Sequence, residues 1–323
     1  MAVDRGYVVP QMRRGMDHPH HDYQPFDDRR PTLRWPNGAR LALCVIVNLE
    51  HVEWRQPEGS YQSPTLSGGY GNRPFPDITR WSHREYGHRV GIFRVLDVLS
   101  KHGIKPTVAM DVLTAENYPF LVRHCLGRGS EIIGHGISVS RMITSEMPEQ
   151  EERDYIRTCV ESLTRATGQA PKGWLGPEYG ESTRTPGLLA EAGFRYVCDW
   201  VNDEQPYAMN VPRGELYALP ITYPVDDVDA LSDRRIDIDQ YSTVLKETFD
   251  VLYEDGAKNG RLLVLNLHPW LIGQAFRIGC LDDALGYMLS HPGVWAANGS
   301  EIIDWYAGHL PAALPSSPDQ LPP

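Results

Sequence analysis

The 323-residue chain sets 42 acidic against 31 basic side chains, a formal charge of -11, which repels phosphate backbones and anionic lipid and sets both aside as partners. A hydrophobic fraction of 41% supplies one substantial core, and the length is ordinary for an α/β barrel with insertions. The five cysteines, Cys44, Cys125, Cys159, Cys198 and Cys280, form no CxxC pair. Buried free thiols in a reducing cytosol are therefore expected. Without a secretory leader or an apolar run of bilayer-spanning length, the expected location is cytoplasmic.

Residues 1–37 are polar, proline-punctuated and aperiodic, and are expected to form an arm that stays mobile or wraps a neighbour. His18, His20 and His21 within it read as solvated rather than metal-bound. The stretch Leu41 to Val47 is apolar on both faces, as in a strand covered on both sides, and Asn48, Glu50, His51 and Glu53 crowd its exit. The Gly/Pro/Ser-rich segment from Glu53 to Arg84 reads as a functional loop over that exit. A helix is expected over 86–102, stopped by Gly103, then a strand over 107–110 ending at Asp111 and a helix over about 115–126. The strand Glu131 to Gly134 delivers His135.

A long helix over 148–168, with an acidic first turn, suits its dipole. Short strands follow at Trp174-Leu175, 194–198 and 216–219, with a helix over 188–193 between the first two. A helix over about 237–253 leads to the buried strand 261–267, which ends in His268-Pro269-Trp270. A helix over 281–289, a strand over 294–296 and a helix starting at Glu301 complete a catalytic domain over 38–308. The tail, 309–323, is too proline-rich for helix or central strand. Alternation of this kind indicates an irregular parallel (β/α) barrel of about seven strands. Glu50, His135, Glu178, Asp199 and His268 all fall just past strand ends, which share one face of such a barrel.

Five segments, NLEHVEW, SEIIGHGIS, GWLGPEYGES, CDWVNDEQPY and LVLNLHPW, taken in order, resemble the polysaccharide deacetylase superfamily and, within it, the allantoinase-like and cyclic-imide-hydrolase-like branch. The resemblance covers about residues 38 to 307. It implies a base and a metal ligand at the first strand's end, a pair of metal-binding histidines in the second motif, an arginine in the third that orients the base, and a late histidine as acid. This chain departs from that pattern. The adjacent aspartates are replaced by Glu50 and His51, the second histidine by Val139, and no arginine precedes Pro177.

The resemblance implies one divalent metal such as zinc, with His51 and His135 as its ligands here. Zinc needs about three protein ligands, and Glu53, Ser138 or Ser140 are the available third donors. A metal-free site stays open. Hydrolysis of a small linear or cyclic amide or imide is the leading activity, with Glu50 activating water and His268 as the acid. Backbone N–H groups of Tyr179 and Gly180 are expected to meet the oxyanion. Asp199 is expected to orient His268 or hold a substrate nitrogen. Glu178, Tyr179, Trp174, Trp200 and Trp270 are expected to bind or wall the substrate. A carbohydrate N-deacetylase and an inactive ligand-binding barrel are the alternatives. Related proteins imply a homo-oligomer.

Overall fold

The computed structural model describes residues 17–26, 30–58, 60 and 76–309. Its organising strand is β1 (Leu41–Leu49), buried along its whole length. One edge of β1 pairs in parallel with β8 (Arg261–Leu267). The other takes β9 (Val294–Ala296) near its start and β2 (Thr107–Met110) near its end. From β2 the parallel order continues through β3 (Glu131–Gly134), β4 (Gly173–Trp174), β5 (Tyr196–Val197) and β7 (Tyr217–Ala218). The short β6 (Tyr207–Ala208), which sequence reading missed, joins β7 antiparallel at the edge.

The sheet curls without completing its ladder. Beyond β7, Thr222 N–H donates to the Val264 carbonyl (3.2 Å) and Val264 N–H to the Thr222 hydroxyl (3.2 Å), so the gap to β8 is bridged by a loop. The result is the irregular (β/α) barrel expected, with eight parallel strands and β6 against them among the described residues.

Strand parity sorts the core. Leu41, Leu43, Val45, Val47 and Leu49 face the helical layer, whereas Ala42, Cys44 and Ile46 face the barrel interior with Tyr196, Leu262, Val264 and Ile133. The interior is filled at one end by Trp35 and by Ile302, Ile303 and Tyr306 of α9 (Gly299–His309). The same even parity on β1 and β8 leads from core residues to Asn48 and Asn266, then past the strand ends to Glu50 and His268. Asn48 Nδ2 donates to Asn266 Oδ1 (2.7 Å) and Asn266 Nδ2 to Asp226 Oδ2 (2.7 Å), a buried polar rung that fixes the two strand exits relative to each other.

The helices depart from expectation where proline and glycine intervene. The segment expected as loop up to Arg84 ends instead in α1 (Ile78–Tyr86), whose N-cap Asp77 accepts from Arg80 N–H. A π-helical stretch, Gly87–Gly91, joins α1 to α2 (Ile92–Lys101), and Gly103 takes φ +70° just beyond. The helix expected over 115–126 is two: α3 (Val112–Asn117) and α4 (Pro119–Gly127). Pro119 disfavours helical backbone at Tyr118, which sits at φ -125°, ψ 58°. α5 (Glu149–Thr167) accounts for the helix expected over 148–168 and stops at Gly168, which takes the left-handed region. α6 (Thr185–Glu191), α7 (Ile238–Asp255) and α8 (Ile278–Leu289) complete the layer, and a π-helical turn at Val228–Asp233 was not foreseen.

The N-terminal arm is partly docked. His18, His20 and His21 gather round Trp200 with ring separations of 6.2, 5.2 and 5.6 Å, and His20 is buried, so they are not the solvated histidines expected. Arg30 chelates Asp203 through two contacts of 2.7 Å. The rest of the arm, 1–16, most of the Gly/Tyr-rich loop, 61–75, and the tail from 310 lie outside the described residues. All five cysteines are free and all but Cys280 are buried. No helix among the described residues is long and apolar enough to cross a membrane.

Candidate active site

Glu50 is the first residue past β1 on the interior parity, and its side chain is the meeting point of three elements. Oε1 lies 3.2 Å from His135 Nε2, just past β3, and 3.8 Å from His268 Nε2, just past β8. Oε2 accepts from the Arg84 guanidinium of α1 at 2.6 Å. Glu50 is 6% exposed and His268 7%. Burial would push the Glu50 carboxyl up, but His268, Arg84 and His135 outweigh it and hold it well below the usual carboxylate range.

His268 is held from behind by Asp227, whose Oδ1 accepts from Nδ1 at 2.7 Å and whose Oδ2 accepts from the His268 backbone N–H at 2.8 Å. Burial would lower its pKa, yet the carboxylates of Asp227 and Glu50 raise it to about 9. At neutral pH the imidazole is therefore an imidazolium with Nε2–H turned toward Glu50. A separation of 3.8 Å is too long for a hydrogen bond but suits one water touching both groups. His135 donates Nδ1–H to the Leu175 carbonyl at 2.5 Å, leaving Nε2 for Glu50.

Arg84 was missed. It lies at the end of the segment expected as loop, and the resemblance points to the third motif for the base-orienting arginine. There the corresponding place is Gly176, where a side-chain carbon would sit 2.6 Å from the Gly180 carbonyl oxygen. The guanidinium arrives instead from α1, stacks 4.1 Å above the Trp270 ring, and reaches 4.0 Å from Glu178. That stacking requires the backbone after β8 to lie against the π-helical stretch. A Cβ at Gly91 would sit 1.9 Å from the Pro269 carbonyl oxygen, and one at Gly87 2.9 Å from Trp270 N. The glycines at both ends of G-H-R-V-G were the available signal, since π-bulges cluster at functional sites.

The remaining expectations divide. Asp199 does not orient His268; Asp227 does, while Asp199 accepts from Gly176 N–H at 2.8 Å. Trp174 is fully buried against Tyr155 and Phe194 and forms core, not a substrate wall. Trp200 faces the arm's histidines and donates to Glu181 at 3.1 Å. Trp270 stands at the site, its face covered by Arg84. The Tyr179 and Gly180 N–H groups are not free for an oxyanion, because they donate to the Gly176 and Pro177 carbonyls at 3.0 and 2.9 Å. Glu178 and Tyr179 both adopt positive φ, 53° and 57°, turning Glu178 toward Arg84, and Tyr179 OH donates to Asp226 at 2.6 Å.

His51, of the opposite parity, diverges from Glu50. Its N–H donates to Asp111 at 2.6 Å and its ring lies 6.2 Å from Tyr118. With Glu50, Arg84, His88 and Tyr118 it lines a cleft of about 10 Å³, on the order of one water's requirement. Glu53, considered as a third ligand, is claimed by Arg141 (2.8 and 2.7 Å) and Ser138 (2.8 Å).

Polysaccharide deacetylases typically use a divalent metal. Among the described residues, the group of His, Asp and Glu compact enough to hold one is Asp226, Asp227 and His268, which excludes both His51 and His135. Its donors are already engaged. Asp226 accepts from Val228 N–H, Asp229 N–H, Tyr179 OH and Asn266 Nδ2, and both Asp227 oxygens accept from His268. Six donors aimed at four oxygens suit an anion-rich hydrogen-bond node, not a cation, and this trio does not fit the family's metal.

Residues 85–197 match the family model described as Polysaccharide deacetylase. The chain is 27% identical over 303 residues to a Schizosaccharomyces pombe protein named "Putative polysaccharide deacetylase", covering 86% of this chain and 94% of that one. A peptidoglycan deacetylase of Helicobacter pylori is 30% identical over 145 residues, 45% of this chain and 48% of that protein. Among solved structures, PuuE allantoinase superposes with a TM-score of 0.83 at 28% identity, covering 92% of this chain and all of that one. The chain is thus similar to deacetylase-type hydrolases, with an allantoinase among its structural neighbours.

Proposed function

We propose that this protein hydrolyses a non-peptide C–N bond in a small linear or cyclic amide or imide. The observation that carries the reading is the convergence of the Glu50 carboxyl and the His268 imidazole at 3.8 Å, with Asp227 behind the imidazole. Water held between them loses its proton to Glu50 as it attacks the carbonyl. A carboxylate stabilised this far is a weak base while its cations are committed to it. As negative charge develops on the carbonyl oxygen, Arg84 and His268 become its counter-charges, and the proton affinity of Glu50 rises in the same step. His268 Nε2–H then protonates the departing nitrogen. His135, fixed by the Leu175 carbonyl, holds Glu50 in place.

The full-length likeness to an allantoinase supports a cyclic ureide or imide among small substrates. A sugar N-deacetylase is the second reading, favoured by the part-length likeness to a peptidoglycan deacetylase. The reading includes a small-molecule partner only, a cytoplasmic location and a homo-oligomer. The test is hydrolysis of a panel of allantoin, hydantoin, succinimide, a linear ureide and chitin oligomers by wild type and Glu50→Gln. Turnover of a ring or small amide that is lost in the variant supports the reading, and turnover of the oligomers alone selects the second.

A further inference from the structure

Behind the loop that carries Glu178 lie two buried acids with no role in the chemistry above. Asp199 Oδ1 accepts from Gly176 N–H at 2.8 Å, and Glu181 Oε2 accepts from Trp200 Nε1–H at 3.1 Å. The other oxygen of each, Asp199 Oδ2 and Glu181 Oε1, is buried and meets no donor among the described residues. The two carboxyl groups lie close enough for each to shift the other's titration. Two ionised carboxyls cannot face each other in a dry interior, whereas one proton satisfies both orphan oxygens.

We propose that Asp199 and Glu181 share a single proton and that this acid–carboxylate pair is the clamp that positions His135. The link is short. Gly176, pinned by Asp199, follows Leu175, whose carbonyl receives the His135 Nδ1–H. Freeing Gly176 loosens the acceptor that sets the His135 ring, and with it the group against Glu50 Oε1. The residues facing the pair favour retention of the proton. Tyr179 and Cys198 near Asp199 are neutral, and Tyr207 and Glu152 lie on the Glu181 side. Glu152 accepts hydrogen bonds from Arg184, Ser182 and Thr185. Among the described residues, the imidazole acting on the pair is His135 itself, which pulls Asp199 down. Burial, the largest influence, raises Asp199 to about 6 and Glu181 well above its ordinary value. The native state therefore binds more protons than the unfolded chain, and stability falls as pH rises from the ordinary carboxylate range through those values.

Only the catalytic importance of the clamp rests on the function proposed above, so the test uses no substrate. Infrared difference spectra of the full chain at neutral pH, wild type minus Glu181→Gln, are expected to show a protonated carboxyl band that the variant lacks. The glutamine amide donates to Asp199 in place of the proton, so the nitrogen NMR signals of the His135 ring are expected to hold in Glu181→Gln and to move in Glu181→Ala. Asp199→Asn offers the same substitution from the other side and carries the test should the position-181 variants not fold. Superimposable infrared spectra, or a His135 ring unmoved in Glu181→Ala, overturn the proposal.

Discussion

Asp227→Asn probes the acid directly. In the wild type, His268 rises from its ordinary 6.5 to about 9 against burial, which pulls the other way. That elevation is about 3 kcal/mol in favour of the imidazolium, at 1.36 kcal/mol per unit. An asparagine keeps the shape but removes the charge and one of the two acceptors that His268 N–H groups use, leaving burial opposed by Glu50 and Asp226. The alkaline limb of kcat/KM is expected to fall from about 9 to near or below 6.5. At about pH 8, the protonated share of His268 then drops from roughly 90% to roughly 3%, about thirtyfold, before any loss of ring orientation. Misorientation multiplies this toward the ~10²–10⁴ typical of a lost general acid. The same variant tests linkage. A pKa raised by folding stabilises fully below 6.5 and loses that contribution as pH rises through about 9. The stability gap between wild type and variant in urea is therefore expected to narrow from about pH 6 to pH 10. An alkaline limb that stays near 9 in Asp227→Asn would show that His268 is not the titrating acid, and the assignment would fall.

Other perturbations address the remaining parts of the site. Glu50→Gln keeps the contacts of Oε1 but cannot accept a proton, and a drop of ~10²–10⁴ in kcat with little change in KM is expected from steady-state kinetics. Arg84→Met removes a charge-assisted hydrogen bond to a buried carboxylate, worth ~1.5–3 kcal/mol. It is expected to slow turnover roughly 10- to 100-fold and to bring the acidic limb of the pH profile up as Glu50 regains basicity, whereas an unmoved acidic limb refutes the pairing. Gly91→Ala drives a methyl into the Pro269 carbonyl oxygen. A loss of ~1–3 kcal/mol in urea denaturation is expected, with activity falling further because Trp270 and Arg84 shift together. Prolonged chelation is expected to leave activity intact, since the compact donor trio already has its oxygens filled; loss on chelation that zinc restores would sink that prediction.

Strand parity explains how much of this site could be read from the chain. Ala42, Cys44, Ile46, Asn48 and Glu50 are one face of an extended segment, as are Leu262, Val264, Asn266 and His268, so a glutamate and a histidine at matching steps past two paired strands meet by geometry. His51 lies on the opposite parity, and the compact donor group of the described residues contains neither it nor His135, so the resemblance does not carry that ligand pair over by sequence adjacency alone. Asp227 gave no periodic signal, because it sits before a π-helical turn in a loop, and its contact with His268 depends on how that loop closes the open side of the sheet. Long-range closure of this kind leaves no local trace.

Arg84 is the more instructive omission, because it shows where charge has moved. Glu50 buried beside two imidazoles needs a permanent cation to remain ionised when either histidine loses its proton, and Gly176 has no room for one in the third motif. α1 supplies it, through a π-helical joint whose two glycines let Pro269 and Trp270 come within contact distance. One consequence is that the base, the acid and the cation are mechanically tied: Arg84 rests on Trp270, two residues from His268, and bonds Glu50. A displacement of the β8 exit therefore moves all three, so variants at Gly87 or Gly91 should perturb kcat and the Glu50 limb together and not one alone.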